Sequence, residues 1–115
     1  KNVYFCSAAP AVRFPNVYGI DMPSAHELIA HNRSTQDVAE LIGADWLVYQ
    51  DLPDLIEAVG GGKIKIEHFD CAVFDGQYVT GDIDAAYLEK IEQARNDASK
   101  VKNQAVSAII DLYNN

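Results

Sequence analysis

The sequence predicts a mixed α/β chain with parallel strands, and three observations carry that prediction. Two short apolar runs, residues 3–8 and 46–49, are separated by helix-start signals rather than a tight turn, which is the pattern of a strand–helix–strand crossover. Residues 71–74 and 77–80 flank Asp75-Gly76, the dipeptide of a two-residue hairpin. Residues 82–115 contain neither proline nor glycine and are rich in Ala, Glu, Lys and Gln, as one long helix requires. The expected order is therefore strand, helices, strand, helix, β-hairpin and long terminal helix. It divides into residues 1–81 and the helix 82–115.

Val3-Tyr4-Phe5-Cys6 reads as a buried strand that continues to Ala8 and is ended by Ala9-Pro10. Residues 10–23 carry three prolines and one glycine with no regular period, so they form a long loop at that strand's carboxyl end. Ser24 with Glu27 has capping-box spacing and opens a short helix carrying Leu28 and Ile29. Ser34 with Asp37 repeats the signal; Val38, Leu41 and Ile42 give that helix its inward face, and Gly43 closes it. After the second strand, Asp51 opens a helix with Pro53 and Asp54 in its first turn. Leu55, Ile56 and Val59 line its apolar side, and Gly60-Gly61-Gly62 ends it. Asp82 or Asp84 caps the terminal helix. There, Leu88, Ile91, Ala94, Ala98, Val101, Ala105, Ala108 and Leu112 recur every three or four positions as a narrow stripe of mostly small residues. Such a stripe fits a helix lying on its own domain or one docked against a partner chain or a further domain.

The chain has 115 residues, a net charge of -8, 49% hydrophobic residues and a pI near 4.6. That length supports one modest core. Without a run of Lys or Arg, the electrostatic basis for binding nucleic acid or an anionic membrane is missing, and no apolar run approaches the roughly 20 residues of a membrane span. Cys6 and Cys71 lie 65 positions apart in no metal or redox spacing. They are expected to be buried thiols in a reducing, cytoplasmic setting. Because Lys1-Asn2-Val3 leads directly into a strand with no initiator Met, a fragment entered in mid-domain is expected.

No nucleophile elbow, phosphate-binding glycine loop or metalloprotease motif occurs, and His26, His31 and His68 are isolated. Asp37, Glu40, Asp45, Asp51, Asp54 and Glu57 fall at spacings that match no calcium loop and read as solvated helix faces. The informative stretch is residues 7–24. It follows a strand's carboxyl end, where open α/β sheets bind ligands, and it combines Arg13, Phe14, Tyr18 and Asp21 with stiffening prolines. Packing of the domain alone would account for the same residues.

Three segments of the sequence, SAAPAVRFPNVYGIDMPSAHELIAH, IGADWLVYQDLPDLIEAV and FDCAVFDGQYVTGDID, closely resemble the carboxyl-terminal part of the glutamine phosphoribosylpyrophosphate amidotransferase family. The resemblance runs from Val3 to about Tyr87 in unbroken order; the terminal helix matches in character only. It implies the carboxyl-terminal part of a type I phosphoribosyltransferase-like domain, within an enzyme several times longer than this chain. In that family a glutaminase domain releases ammonia, and a transferase domain joins it to phosphoribosyl pyrophosphate in the first step of purine biosynthesis.

The family's Gly-Thr-Thr phosphate loop and its glutaminase Cys are not present in this sequence, so the segment alone is expected to be inactive. The resemblance implies Asp21 and Leu28 as neighbours of the ammonia channel or acceptor site, and Tyr18, Met22, Pro23 and Ser24 as nucleotide-binding candidates. None of these is catalytic, and none is a metal ligand. Magnesium is implied, bound by other parts of the parent. An iron–sulfur cluster is not expected, since Asn16 stands where some members carry a ligating Cys and Cys71 stands alone. The implied partners are the remainder of the parent enzyme, phosphoribosyl pyrophosphate, glutamine, purine nucleotides and further copies in a homo-oligomer. Two other readings stay open: a non-enzymatic nucleotide-binding or interaction module derived from a type I phosphoribosyltransferase, and a different phosphoribosyltransferase of the same type.

Overall fold

The computed structural model describes residues 1–61 and 66–113, leaving out the side chains of Ala98, Ser99 and residues 102–113. Among the described residues two strands form, β1 (Tyr4–Cys6) and β2 (Trp46–Val48), paired in parallel with Tyr4 opposite Trp46, Phe5 opposite Leu47 and Cys6 opposite Val48. Aromatic and β-branched residues fill both, as a pleated surface favours. Asp45 holds the register at the amino end: its carboxylate accepts the Val3 amide (2.6 Å) and its own amide donates to the Val3 carbonyl (2.9 Å).

The crossover between the strands contains the long loop, a 3₁₀ turn (Ala25–Glu27) and helix α1 (Thr35–Ile42). Ser34 caps α1 with a complete capping box, and Gly43 closes it in the left-handed conformation at φ 69°. Leu47 of β2 packs with Val38 and Ala39 of α1 and with Ala11 and Ala30 from the crossover. Three of these five residues are alanine, so the core buries little apolar area per residue.

Helix α2 (Leu52–Gly60) follows Asp51, whose side chain makes no cap bond, with Pro53 in its first turn. It ends at Gly60, as its glycines predict, and Gly62 lies outside the described residues. The expected hairpin does not form. Residues 72–75 are instead the single helical turn α3 (Ala72–Asp75), and no strand follows it among the described residues. Asp70 accepts the Ala72 amide (3.1 Å) at its start, and Gly76, at φ 74°, closes its end as a left-handed cap. Asp-Gly serves a helix end as well as a hairpin turn, because both require a positive φ that glycine adopts freely.

Two further expectations change. Ser24 does not form the backbone-to-side-chain box that its spacing with Glu27 suggests, and the helix there is only the 3₁₀ turn. Cys6 is exposed, because β1 has only β2 beside it among the described residues, and Cys71, at the start of α3, is half-buried. With one partner strand, Val3, Tyr4 and Phe5 stay more than half exposed at 52%, 66% and 51%.

The second unit, residues 82–115, contains helix α4 (Ala85–Tyr113), capped by Asp84, whose side chain accepts the Tyr87 amide (2.8 Å). The terminal helix is thus present with the cap expected of it. On its stripe Leu88 and Ile91 are half-buried, Ala94 and Val101 are exposed, and Ala98, Ala105, Ala108 and Leu112 lie outside the described side chains. No helix among the described residues is long and apolar enough to cross a membrane.

Candidate functional site

The loop begins where β1 ends, still tied to β2: the Ser7 amide donates to the Val48 carbonyl (2.9 Å) and the Gln50 amide to the Ser7 carbonyl (3.2 Å). Prolines deny this stretch a ladder of its own, so its backbone is held from elsewhere. Asn16 does most of this internally. Almost fully buried at 4% exposure, its side-chain oxygen accepts the amides of Tyr18 (2.8 Å) and Ile20 (3.2 Å), folding the chain through Gly19 at φ 95°. Its own amide points at the Met22 sulfur (3.3 Å), which fixes that side chain inward.

Arg13 is turned onto the backbone of residues 30–33. One guanidinium nitrogen donates to the carbonyls of Ala30 (2.8 Å) and Arg33 (2.6 Å). The His31 Nδ1 in turn donates to the Arg13 carbonyl (2.7 Å), which fixes the imidazole tautomer because a carbonyl only accepts. These bonds hold residues 30–33 in an irregular turn with Asn32 at φ 53°, and they explain why no helix continues past the 3₁₀ turn.

The far side of the loop rests on residues 73–80. The Arg13 and Phe14 amides donate to the Val73 carbonyl (2.9 and 3.1 Å), and the Tyr78 hydroxyl donates to the Pro15 carbonyl (2.8 Å). The Tyr18 hydroxyl meets the Thr80 hydroxyl (3.0 Å) and accepts the Thr80 amide (3.3 Å), while the Tyr18 and Tyr78 rings pack edge to face at 6.3 Å.

The six residues picked out by resemblance are placed as follows. Tyr18 is fastened to Thr80, and Met22 turns in against Asn16. Asp21 and Pro23 are exposed on the same stretch. Ser24 is buried at 1% exposure, its hydroxyl donating to Glu27 Oε1 (2.7 Å) and lying 3.4 Å from His26 Nε2. Leu28 is half-buried but does not lie on a helix: it ends the 3₁₀ turn in an extended conformation, φ -71° and ψ 118°. Its side chain therefore does not inherit the backward lean of a helical residue. Sequence reasoning missed Asn16 as the loop's organiser and Tyr78 and Thr80 as its outer supports; two hydroxyls in Tyr-x-Thr were the only signal.

Two ionisable groups are perturbed. Hydrogen bonds from the Ser34 hydroxyl and amide, aided by the charge of Arg33, hold the Asp37 carboxyl below the usual carboxylate range. Burial raises the Cys71 thiol, and the carboxylates of Asp75 and Asp70 add to the shift. Beside Cys71, α2 and α3 enclose a cavity of about 150 Å³ lined by Leu52, Leu55, Ile56, Val59, Phe69 and Phe74. Among the described residues no three His, Cys, Asp or Glu side chains converge to hold a metal.

No family model matches the chain. It is 87% identical over 114 residues to the amidophosphoribosyltransferase of Pseudomonas aeruginosa, covering 99% of this chain and 23% of that protein. The Escherichia coli protein of the same name is 51% identical over 115 residues (99% of this chain, 23% of that protein), and that of Saccharomyces cerevisiae 42% over 113 residues (97% and 22%). The matched stretch includes the whole loop and its supports, at identities far above those at which fold alone is shared. The chain, which spans about a quarter of the length of these relatives at 23%, belongs to the amidophosphoribosyltransferase family.

Proposed function

We propose that this chain is the carboxyl-terminal part of the phosphoribosyltransferase domain, of type I, of an enzyme that makes 5-phosphoribosylamine in the first step of de novo purine biosynthesis. The observation that carries this reading is the 87% identity across 114 residues to a protein named for that transfer. In the reaction, water cleaves glutamine to glutamate and ammonia, and the ammonia attacks the anomeric carbon of phosphoribosyl pyrophosphate. The carbon–nitrogen bond forms as the carbon–oxygen bond to pyrophosphate breaks. Pyrophosphate leaves with the bonding pair and the nitrogen sheds a proton, which makes the enzyme a glycosyltransferase.

This segment would supply one wall of the site. Asp21, exposed on the loop, would orient the incoming ammonia, and Leu28 would line its path, since ammonia has to cross between sites without meeting water. Tyr18, Met22, Pro23 and Ser24 would form one side of a site for inhibitory purine nucleotides. Magnesium would accompany the phosphoribosyl substrate, held by other parts of the parent. The reading takes the parent to be free of an iron–sulfur cluster, since Asn16 stands where some members carry a ligating Cys. The reading also takes the parent to be a cytoplasmic homo-oligomer.

The test is a balance of products. The full-length protein carrying this sequence, given glutamine, magnesium and phosphoribosyl pyrophosphate, should release glutamate, pyrophosphate and phosphoribosylamine in equal amounts. Residues 1–115 alone should release none. Glutamate release by the isolated segment above a protein-free control, or no amine from the full-length protein, would overturn the reading.

A further inference from the structure

The residues that read as a hairpin in the sequence run instead beside the candidate loop and touch it at successive points. Val73 receives the amides of Arg13 and Phe14, Gly76 lies under the Phe14 ring, Tyr78 reaches the Pro15 carbonyl, and Thr80 meets the Tyr18 hydroxyl. The contacts advance in the same direction along both segments, and the last lies three residues before Asp21 and five before Pro23. Thr80 is presented by a turn that the Gly81 amide closes on the Tyr78 carbonyl (3.0 Å), with Gly81 at φ 70°. A loop with no ladder of its own has its course set by whatever its backbone and side chains are bound to.

We propose that residues 73–80 are a strap that sets the conformation of residues 18–23, with Tyr78 and Thr80 as positioning residues for the purine nucleotide that this loop receives. The proposal rests on the reading of the loop as a nucleotide site. Neither residue touches the nucleotide; each lowers the ordering cost that binding would otherwise carry.

The experiment uses the full-length enzyme and reads the concentration of adenosine or guanosine monophosphate, each alone, that halves the activity, together with kcat on ammonium salt. Thr80→Val and Tyr78→Phe keep the shape and remove the hydroxyl. Each should raise the half-inhibiting concentration about three- to tenfold, the worth of one hydrogen bond expressed as an equilibrium ratio. The kcat on ammonium should stay within about twofold. Thr80→Ser should restore inhibition. Unchanged inhibition in both hydroxyl-free variants overturns the strap, as does an equal loss in Thr80→Ser. Pro23→Trp separates the two levels: if it shifts inhibition while Thr80→Val does not, only the strap fails, and if neither shifts it, the nucleotide reading of the loop fails as well.

Discussion

The Phe14 ring lies so close over Gly76 that a Cβ on that glycine would stand 3.1 Å from two of its ring carbons. Gly76 also has φ 74°, where a side chain is strained regardless of space. Gly76→Ala should therefore cost about 2–4 kcal/mol, from backbone strain and overpacking together. Phe14→Leu in the same chain should return only the packing part. Urea midpoints of the two single variants and the double variant provide the cycle, and additive effects would remove the contact from the account.

Ser34 and Asp37 exchange hydrogen bonds at the start of α1, and that exchange makes the cap pH-dependent. Ser34→Ala should destabilise the chain by about 1 kcal/mol. The Asp37 carboxyl titrates lower in the folded chain than in the unfolded one. Its contribution is thus fully present at neutral pH and is lost as acid passes below about pH 4, through the lowered folded value. A carboxyl carbon titration should show Asp37 below its position in Ser34→Ala; coincident curves would mean the serine does not hold it.

In the full-length enzyme, Leu28→Ala tests the ammonia path. A half-buried leucine at the end of a 3₁₀ turn should cost less than the 2–5 kcal/mol of a fully buried one, so the variant should fold. Glutamate release should then exceed phosphoribosylamine formation as ammonia escapes, with the rate on ammonium salt largely kept. A glutamate-to-amine ratio that stays at one in the folded variant would take Leu28 out of the path.

The two thiols should separate under alkylation. Cys6 is exposed at the strand edge, whereas Cys71 is half-buried with its thiol shifted upward by burial and two carboxylates. Brief iodoacetamide treatment of residues 1–115 near neutral pH should label Cys6 first, as read by peptide mass. In the full-length enzyme Cys6 labelling should fall if further strands pair with β1. Equal labelling of the two thiols in the isolated chain would contradict the arrangement.

How much the sequence revealed depended on whether a signal was local and unambiguous. Ser34 with Asp37 spelled out a capping box because both partners lie within one turn, and Asp84 announced α4 for the same reason. Ser24 with Glu27 has the same spacing, yet Arg13, eleven positions upstream, takes the Ala30 and Arg33 carbonyls and the helix stops. Asp75-Gly76 pointed correctly to a positive φ, but that φ closes a helical turn, because the Val73 carbonyl is taken by Arg13 and Phe14 rather than by a facing strand. The family motif led to the loop residue by residue. The supports at Tyr78 and Thr80 lie more than 60 positions away and left no periodic trace.

Arg13 carries one more implication, for selectivity. It is the sole basic side chain from residue 2 to residue 25, and one nitrogen of its guanidinium is bound to the Ala30 and Arg33 carbonyls. A phosphate arriving at residues 18–23 would find no basic side chain within that segment, and the overall charge of -8 would add repulsion. What the loop would offer a nucleotide, on the proposed reading, is the exposed edge of the Tyr18 ring and the flat pyrrolidine of Pro23. Such a wall would discriminate between heterocycles by shape and would be indifferent to how many phosphates follow them.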